Sequence, residues 1–273
     1  MDQSIIRTDL VERGPSVQLS PWWLIRCGRG RVGGSTFLNF VIEWGRHQGR
    51  RVKPLDGDLR SRTLTSLYPR VRGDGVKDAD AAVSPPSEEL IDNKAWFTAE
   101  LDASVEDGVC RAVDFGGGDR VIQEYGADLR IGDFCASVGL PLVWAFVLGP
   151  DEEDLRHVTQ ILKSGQVTGG HVLLVLNEGV IRPGQKAVGV FDAVSRQRDY
   201  LQLLEDGAES FIMPRLTCLD QLREKGLGFY DAASGHADRD GRRASPTTQH
   251  MTSTWLKDME AQLEASGASK WMA

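Results

Sequence analysis

Apolar positions along the chain fall into two alternating patterns. Short apolar stretches at 22–25, 109–115, 141–148, 171–176 and 209–213 have the length of buried strands, and 51–55 is a shorter strand ending at Asp56. Between them lie longer segments with helical spacing. Phe37, Leu38, Phe40, Val41 and Trp44 mark the first, and further helices are expected near 119–138, 151–164 and 187–206. Another should run from Ser87 to about Val105, with Ser87 as N-cap and Glu88 and Glu89 near the positive end of the helix dipole. A last helix is expected at 253–265. Strand alternating with helix predicts an α/β fold, a mostly parallel sheet with helices on both faces.

The intervals divide the chain. Residues 1–20 read as an irregular lead-in, 21–235 as the main domain, and 236–273 as a mobile polar segment followed by the C-terminal helix. Charge, Gly and Pro make 68–86 a long loop. With 273 residues, 41% of them hydrophobic and 26% charged, one sizeable α/β core is expected. The net charge of −7 gives no overall attraction to nucleic acid. Arginine clusters at 46–53 and 239–243 read as solvated surface, with direct DNA contact left open. No apolar run approaches the roughly 20 residues that span a bilayer, and the N-terminus has no charged-then-apolar signal, so cytoplasmic residence is expected. Cys27, Cys110, Cys135 and Cys218 form no C-x-x-C pair and read as reduced, buried residues. The histidines are scattered, so a metal held by protein ligands alone is not expected.

The candidate chemistry begins at the end of the first strand, with Cys27-Gly28-Arg29-Gly30-Arg31-Val32-Gly33-Gly34-Ser35-Thr36. Strand, glycine turn and helix are the context in which backbone N–H groups and a helix N-terminus cradle phosphate. Gly28, Gly33 and Ser35 fit the pattern G-x-x-x-x-G-K-[ST], but Gly34 stands where the phosphate-gripping lysine belongs. Ser35 would offer its hydroxyl to magnesium. Asp56-Gly57-Asp58 follows the second strand, and Asp114-Phe115-Gly116-Gly117-Gly118-Asp119 follows the apolar strand at 109–115. Carboxyl ends of parallel strands converge on one crevice. There Asp114 could hold magnesium through water, and Asp56 or Asp58 could orient an attacking water. Each motif also has an ordinary reading, Asp-Gly-Asp as a turn and the glycines as a tight link to a helix capped by Asp119. A dinucleotide fingerprint can also be read as Gly28-x-Gly30-x-x-Gly33, with Asp56 as its distal acid.

From Gly28 to Thr36 the loop resembles the deviant loop of the ParA/MinD-like ATPases, G-K-G-G-x-G-K-[ST]-T, in a degenerate form. Arg29 falls on that family's signature lysine, Arg31 on a glycine and Gly34 on the general lysine. The order of loop, Asp-x-Asp and Asp-x-Gly motifs matches the same family. The resemblance implies a P-loop NTPase architecture, ATP and Mg2+ as cofactors, and an adenine nucleotide held by Gly28, Gly30, Arg31, Val32, Gly33, Gly34, Ser35 and Thr36. It further implies Asp58 and Arg29 as catalytic residues and Ser35, Asp56 and Asp114 on the metal side. Asn177, after a late strand, falls where the family contacts adenine, and Pro214 where it has a proline loop beside the base. A looser similarity to plasmid-encoded TraL-like proteins points to plasmid maintenance, partition or conjugative transfer, with a homodimer and a partner protein of such a system. Two classes remain open, a nucleotide switch with weak or absent hydrolysis and an inactive interaction scaffold. A dinucleotide-binding protein is a third. Within the loop only Arg29 and Arg31 could replace the lost charge, and a lysine restored at position 34 is expected to tighten binding.

Overall fold

The computed structural model describes residues 20–71, 75–116, 120–182, 184–238 and 241–272. The expected lead-in lies almost wholly outside them, as do Gly117, Gly118 and Asp119. The elements run β1 (Trp23–Cys27), α1 (Gly34–His47), β2 (Val52–Asp56), α2 (Thr63–Leu67), α3 (Leu90–Asp107), β3 (Cys110–Asp114), α4 (Arg120–Leu129) and α5 (Ile131–Ser137). They continue with β4 (Leu142–Leu148), α6 (Glu152–Lys163), β5 (His171–Asn177), α7 (Asp192–Ser195), α8 (Arg198–Glu205), β6 (Glu209–Met213), α9 (Leu219–Lys225), α10 (Phe229–Ser234) and α11 (Pro246–Ala265).

The strands form one sheet in the order β2-β3-β1-β4-β5-β6, and every neighbouring pair is parallel. Successive side chains of a strand point to opposite faces, which lets a single apolar run serve two cores. Trp22 and Leu24 join Ala112, Val143 and Ala145 in the core beneath α1, α10 and α11. Trp23 and Ile25 join Val113, Trp144 and Phe146 in the core on the other face, with Phe97, Ile122, Leu155 and Tyr200 from the helices there. All four cysteines are buried and unbridged.

Several expected boundaries shift. The helix expected at 119–138 is broken into α4 and α5 at Arg130, whose φ of 48° is left-handed. That expected at 187–206 becomes the short α7 followed by α8. Ser87 does not cap α3, which starts at Leu90. Its hydroxyl instead closes a local turn by accepting the Glu89 N–H at 3.1 Å. The last helix begins earlier than its apolar spacing suggests, at Pro246, behind the N-cap Ser245. Trp255, Leu256, Met259 and Leu263 of α11 are buried in the same core as α1, so this helix shares the core of 21–235. Among the described residues no helix is long and apolar enough to cross a membrane.

One polar contact ties α1 to α10. Glu43, half-buried, accepts from Asn39 Nδ2 at 3.0 Å and from the backbone N–H of Tyr230 at 3.1 Å. Desolvation raises its carboxyl from 4.5 to about 7 despite those bonds. Between these values the folded state holds a proton that the unfolded chain has released, so stability falls as pH rises through this window. Urea titrations at pH 5 and pH 8 should therefore show a loss for the native chain that Glu43→Gln reduces. Equal losses in the two proteins would remove Glu43 as its source.

Candidate functional site

The turn from β1 into α1 has the backbone of a cradle. Gly33 is the N-cap of α1, with φ 88°, and a Cβ there would lie 2.1 Å from Asn177 Nδ2. Only glycine allows both the left-handed turn and the entry of that amide. Asn177 Nδ2 then donates to the Val32 carbonyl at 2.7 Å, fastening the loop from behind. Arg31 stands at φ 66°, a conformation glycine adopts freely and arginine does not. Gly33 offers no side chain to cap the first turn of α1; the Thr36 N–H donates to the Gly33 carbonyl at 3.1 Å, and Gly34 and Ser35 line a cavity of about 1170 Å³.

Strand register sets a row of charges beneath the cavity, of which Arg26 lines it. Arg26 of β1 is paired with Asp114 of β3, and Asp114 with Asp56 of β2. By alternation these three side chains lie on the α1 face, in a row across adjacent strands. Ser35, in the first turn of α1, donates its hydroxyl to Asp114 Oδ2 at 2.6 Å, and Gly116 N–H donates to Asp114 Oδ1 at 2.9 Å. Arg26 is 3% exposed and lines the cavity. Its Nη1 donates to the Gly116 carbonyl at 2.6 Å and lies 3.6 Å from Asp114 Oδ1, while Nη2 donates to the Arg29 carbonyl. The expectation that Arg29 and Arg31 are the only local cations is thus corrected. Arg26 lies one residue beyond the apolar run 22–25 that marks the first strand. Extending the alternation of Trp22 and Leu24 by one step would have found it.

The other expected residues separate into those inside the cavity and those outside. Gly30, Arg31, Gly33, Gly34, Ser35, Thr36, Asp58, Asn177 and Pro214 line it. Asp58 Oδ1 accepts the N–H groups of Arg60 and Ser61 at 3.2 and 3.1 Å. Asn177 spends its amide on the fold, with Oδ1 accepting Gly179 N–H at 2.7 Å. The Pro214 carbonyl accepts Trp255 Nε1 at 2.8 Å. Arg29 points elsewhere, its Nη1 2.9 Å from Asp154 Oδ1 on α6. Asp56 lies behind the wall. Its Oδ2 accepts Thr65 N–H and hydroxyl at 2.7 and 2.8 Å, and Oδ1 is buried without a partner among the described residues. Desolvation, with smaller contributions from Asp114 and Asp58, raises its pKa.

Arg60, Arg215 and Arg223, which no sequence motif marks as site residues, bring the arginines lining the cavity to five among the described residues, against the carboxylates of Asp58, Glu88 and Asp220. Arg223 reaches Thr36, donating to its hydroxyl at 2.9 Å. In a chain of net charge −7, this is a local reversal of sign that favours an anionic ligand. The dinucleotide reading fails on topology. That fold places β2 beside β1, whereas here β3 intervenes and moves Asp56 two strands from the loop, roughly 9 to 10 Å at ordinary strand spacing.

Relief of the left-handed strain at position 31 gives a test of the loop geometry. Arg31→Gly should be neutral or stabilising by up to about 1 kcal/mol in chemical denaturation, against the usual destabilisation by glycine elsewhere. A loss above 1 kcal/mol would contradict this conformation.

No protein-family model matches the chain, and no curated protein sequence matches it. Solved structures do. A chain of the MinC:MinD cell division protein complex of Aquifex aeolicus is similar over 88% of this chain and 96% of its own, at 13% identity and a TM-score of 0.52. The apo McdA of Cyanthece is similar over 86% of this chain and 99% of its own, at 12% identity and a TM-score of 0.49. At such identities only the fold is shared, and that fold rests on the first of these likenesses together with the strand order. The chain has the α/β architecture of the ParA/MinD-like P-loop NTPases.

Proposed function

We propose that the chain is a ParA/MinD-like nucleotide-binding protein that takes ATP with magnesium at the N-terminus of α1 and hydrolyses it slowly or not at all. The observation that carries this reading is the 2.6 Å hydrogen bond between Ser35 and Asp114 at the mouth of an uncapped helix. A hydroxyl and a carboxylate so placed are hard oxygen donors, suited to a magnesium ion that keeps several waters and takes its remaining oxygens from phosphate. Ser35 would hold the ion directly and Asp114 directly or through water. Bound magnesium would neutralise charge on the terminal phosphates. The first-turn N–H groups at Gly34 and Ser35 and the arginine-rich wall would bind the phosphate chain itself.

Slow turnover has separate support. The loop carries no lysine, Arg29 is engaged by Asp154, and Asp58, the candidate to orient water, already accepts two backbone N–H groups. Arg29 retains a second role in this reading, because its side chain is 43% exposed and an anion brought by a second copy could draw it off Asp154. The looser TraL-like similarity supports a setting in plasmid maintenance, partition or conjugative transfer, in company with a partner protein of that system. An interaction scaffold that has lost its nucleotide is the competing reading.

Calorimetric titration with ATP and ADP, with and without magnesium, separates the two. The native chain should bind ATP more tightly with magnesium, and Asp114→Asn should remove that dependence, costing about tenfold or more in affinity. Absence of heat under every condition would leave the scaffold.

A further inference from the structure

We propose that Arg26 is the phosphate-binding cation of this site, supplying from β1 the charge that other P-loops carry at the position of Gly34, and that Gly34 is glycine because the Arg26 guanidinium occupies its side-chain space. This rests on the nucleotide reading above and extends it to the residue that grips the ligand.

Steric exclusion is the first support. A Cβ at position 34 would lie 2.0 Å from Arg26 Nε, 2.6 Å from Cζ and 2.9 Å from Cδ, so no larger residue fits unless Arg26 moves. The backbone does not require glycine here. Gly34 lies in the first turn of α1 and is not among the glycines with positive φ, and glycine in a helix costs about 0.5–1 kcal/mol relative to alanine. The requirement comes from the arginine.

Unspent hydrogen-bonding capacity is the second. Arg26 is 3% exposed, and its Nε has no hydrogen-bond partner among the described residues. A guanidinium carries five N–H donors, whereas the protein acceptors found for this one are the Gly116 and Arg29 carbonyls, with Asp114 at 3.6 Å. Burying a cation with a donor unmet is costly, and an anion in the cavity would reduce that cost. Phosphate oxygens match the planar fork that Arg26 presents.

Position supplies the third. Arg26 connects the cradle, through the Arg29 carbonyl, to the segment after β3, through the Gly116 carbonyl. A phosphate group drawing on this guanidinium would compete with both carbonyls at once. The cation that binds the ligand is therefore also the contact that joins the two loops.

The experiment is a set of exchanges at positions 26 and 34, read by calorimetry with ATP and magnesium and by thermal melting. Arg26→Met should weaken ATP binding about ten- to a hundredfold, and Arg26→Lys, which keeps the charge but not the fork, should recover only part of it. Gly34→Lys alone, expected from the sequence to tighten binding, should instead lower the melting temperature and weaken binding because Arg26 fills that space, whereas Arg26→Ala combined with Gly34→Lys should recover both. Binding by Arg26→Met within twofold of the native chain would overturn the assignment while leaving the nucleotide reading intact. So would tighter binding by Gly34→Lys alone. A native chain that binds no ATP would overturn both. Should Arg26→Met not fold, the comparison of Gly34→Lys with the double variant decides the point.

Discussion

The parallel pairing of β3 beside β1 is the constraint on which the site depends. Register in this pair sets Asp114 opposite Arg26, and the turn after β1 brings Ser35 over both. Three chemically different groups thus meet at one level of the sheet, although 88 residues of chain separate Arg26 from Asp114. A slip of one residue would turn Arg26 or Asp114 into the opposite core, among Phe97, Trp144 and Phe146. The packing that prevents such a slip is the alternation of Trp22 and Leu24 on one face with Trp23 and Ile25 on the other.

Electrostatics then shapes the cavity from this row outward. Asp114 is held by a hydroxyl and a backbone N–H, and Arg26 lies beside it with hydrogen bonds to two carbonyls. Asp56, at the far end of the row, is shielded from the cavity and served by Thr65. Desolvation near two other carboxylates pushes its pKa up, which fits a structural link between β2 and α2 better than a metal ligand. The arginines on the rim add positive potential above a helix N-terminus that already favours anions. Binding and slow chemistry are compatible in such an arrangement. Ground-state charge neutralisation supports affinity, whereas rate depends on groups free to follow charge as it develops.

Much of the fold was legible because burial imposes periodicity. Continuous apolar runs such as 141–148 and 171–176 can be satisfied only inside a sheet covered on both faces, and both are strands. Breaks within helices were not legible. The left-handed turn at Arg130 has no glycine or proline at that residue to announce it. In the site, Gly28 to Thr36 and the two aspartate motifs were visible because glycine and carboxylate spacing survives in the linear chain. The partners that complete those motifs were not. Asp154 holds Arg29 from 125 residues away, and Arg223 reaches Thr36 across 187.

Sequence by itself determined the parallel α/β class, the glycine-rich turn between the first strand and the first helix and the absence of lysine from it, since these depend on residue type and local order. Tertiary structure decided what that absence means. Gly34 is an empty position in the linear chain, but its space is filled by the guanidinium of a residue eight positions earlier, on the strand below. The reason is geometric. A strand side chain pointing beneath a helix N-terminus reaches the same volume as a side chain growing from the helix itself, and only packing in three dimensions determines which of the two is there.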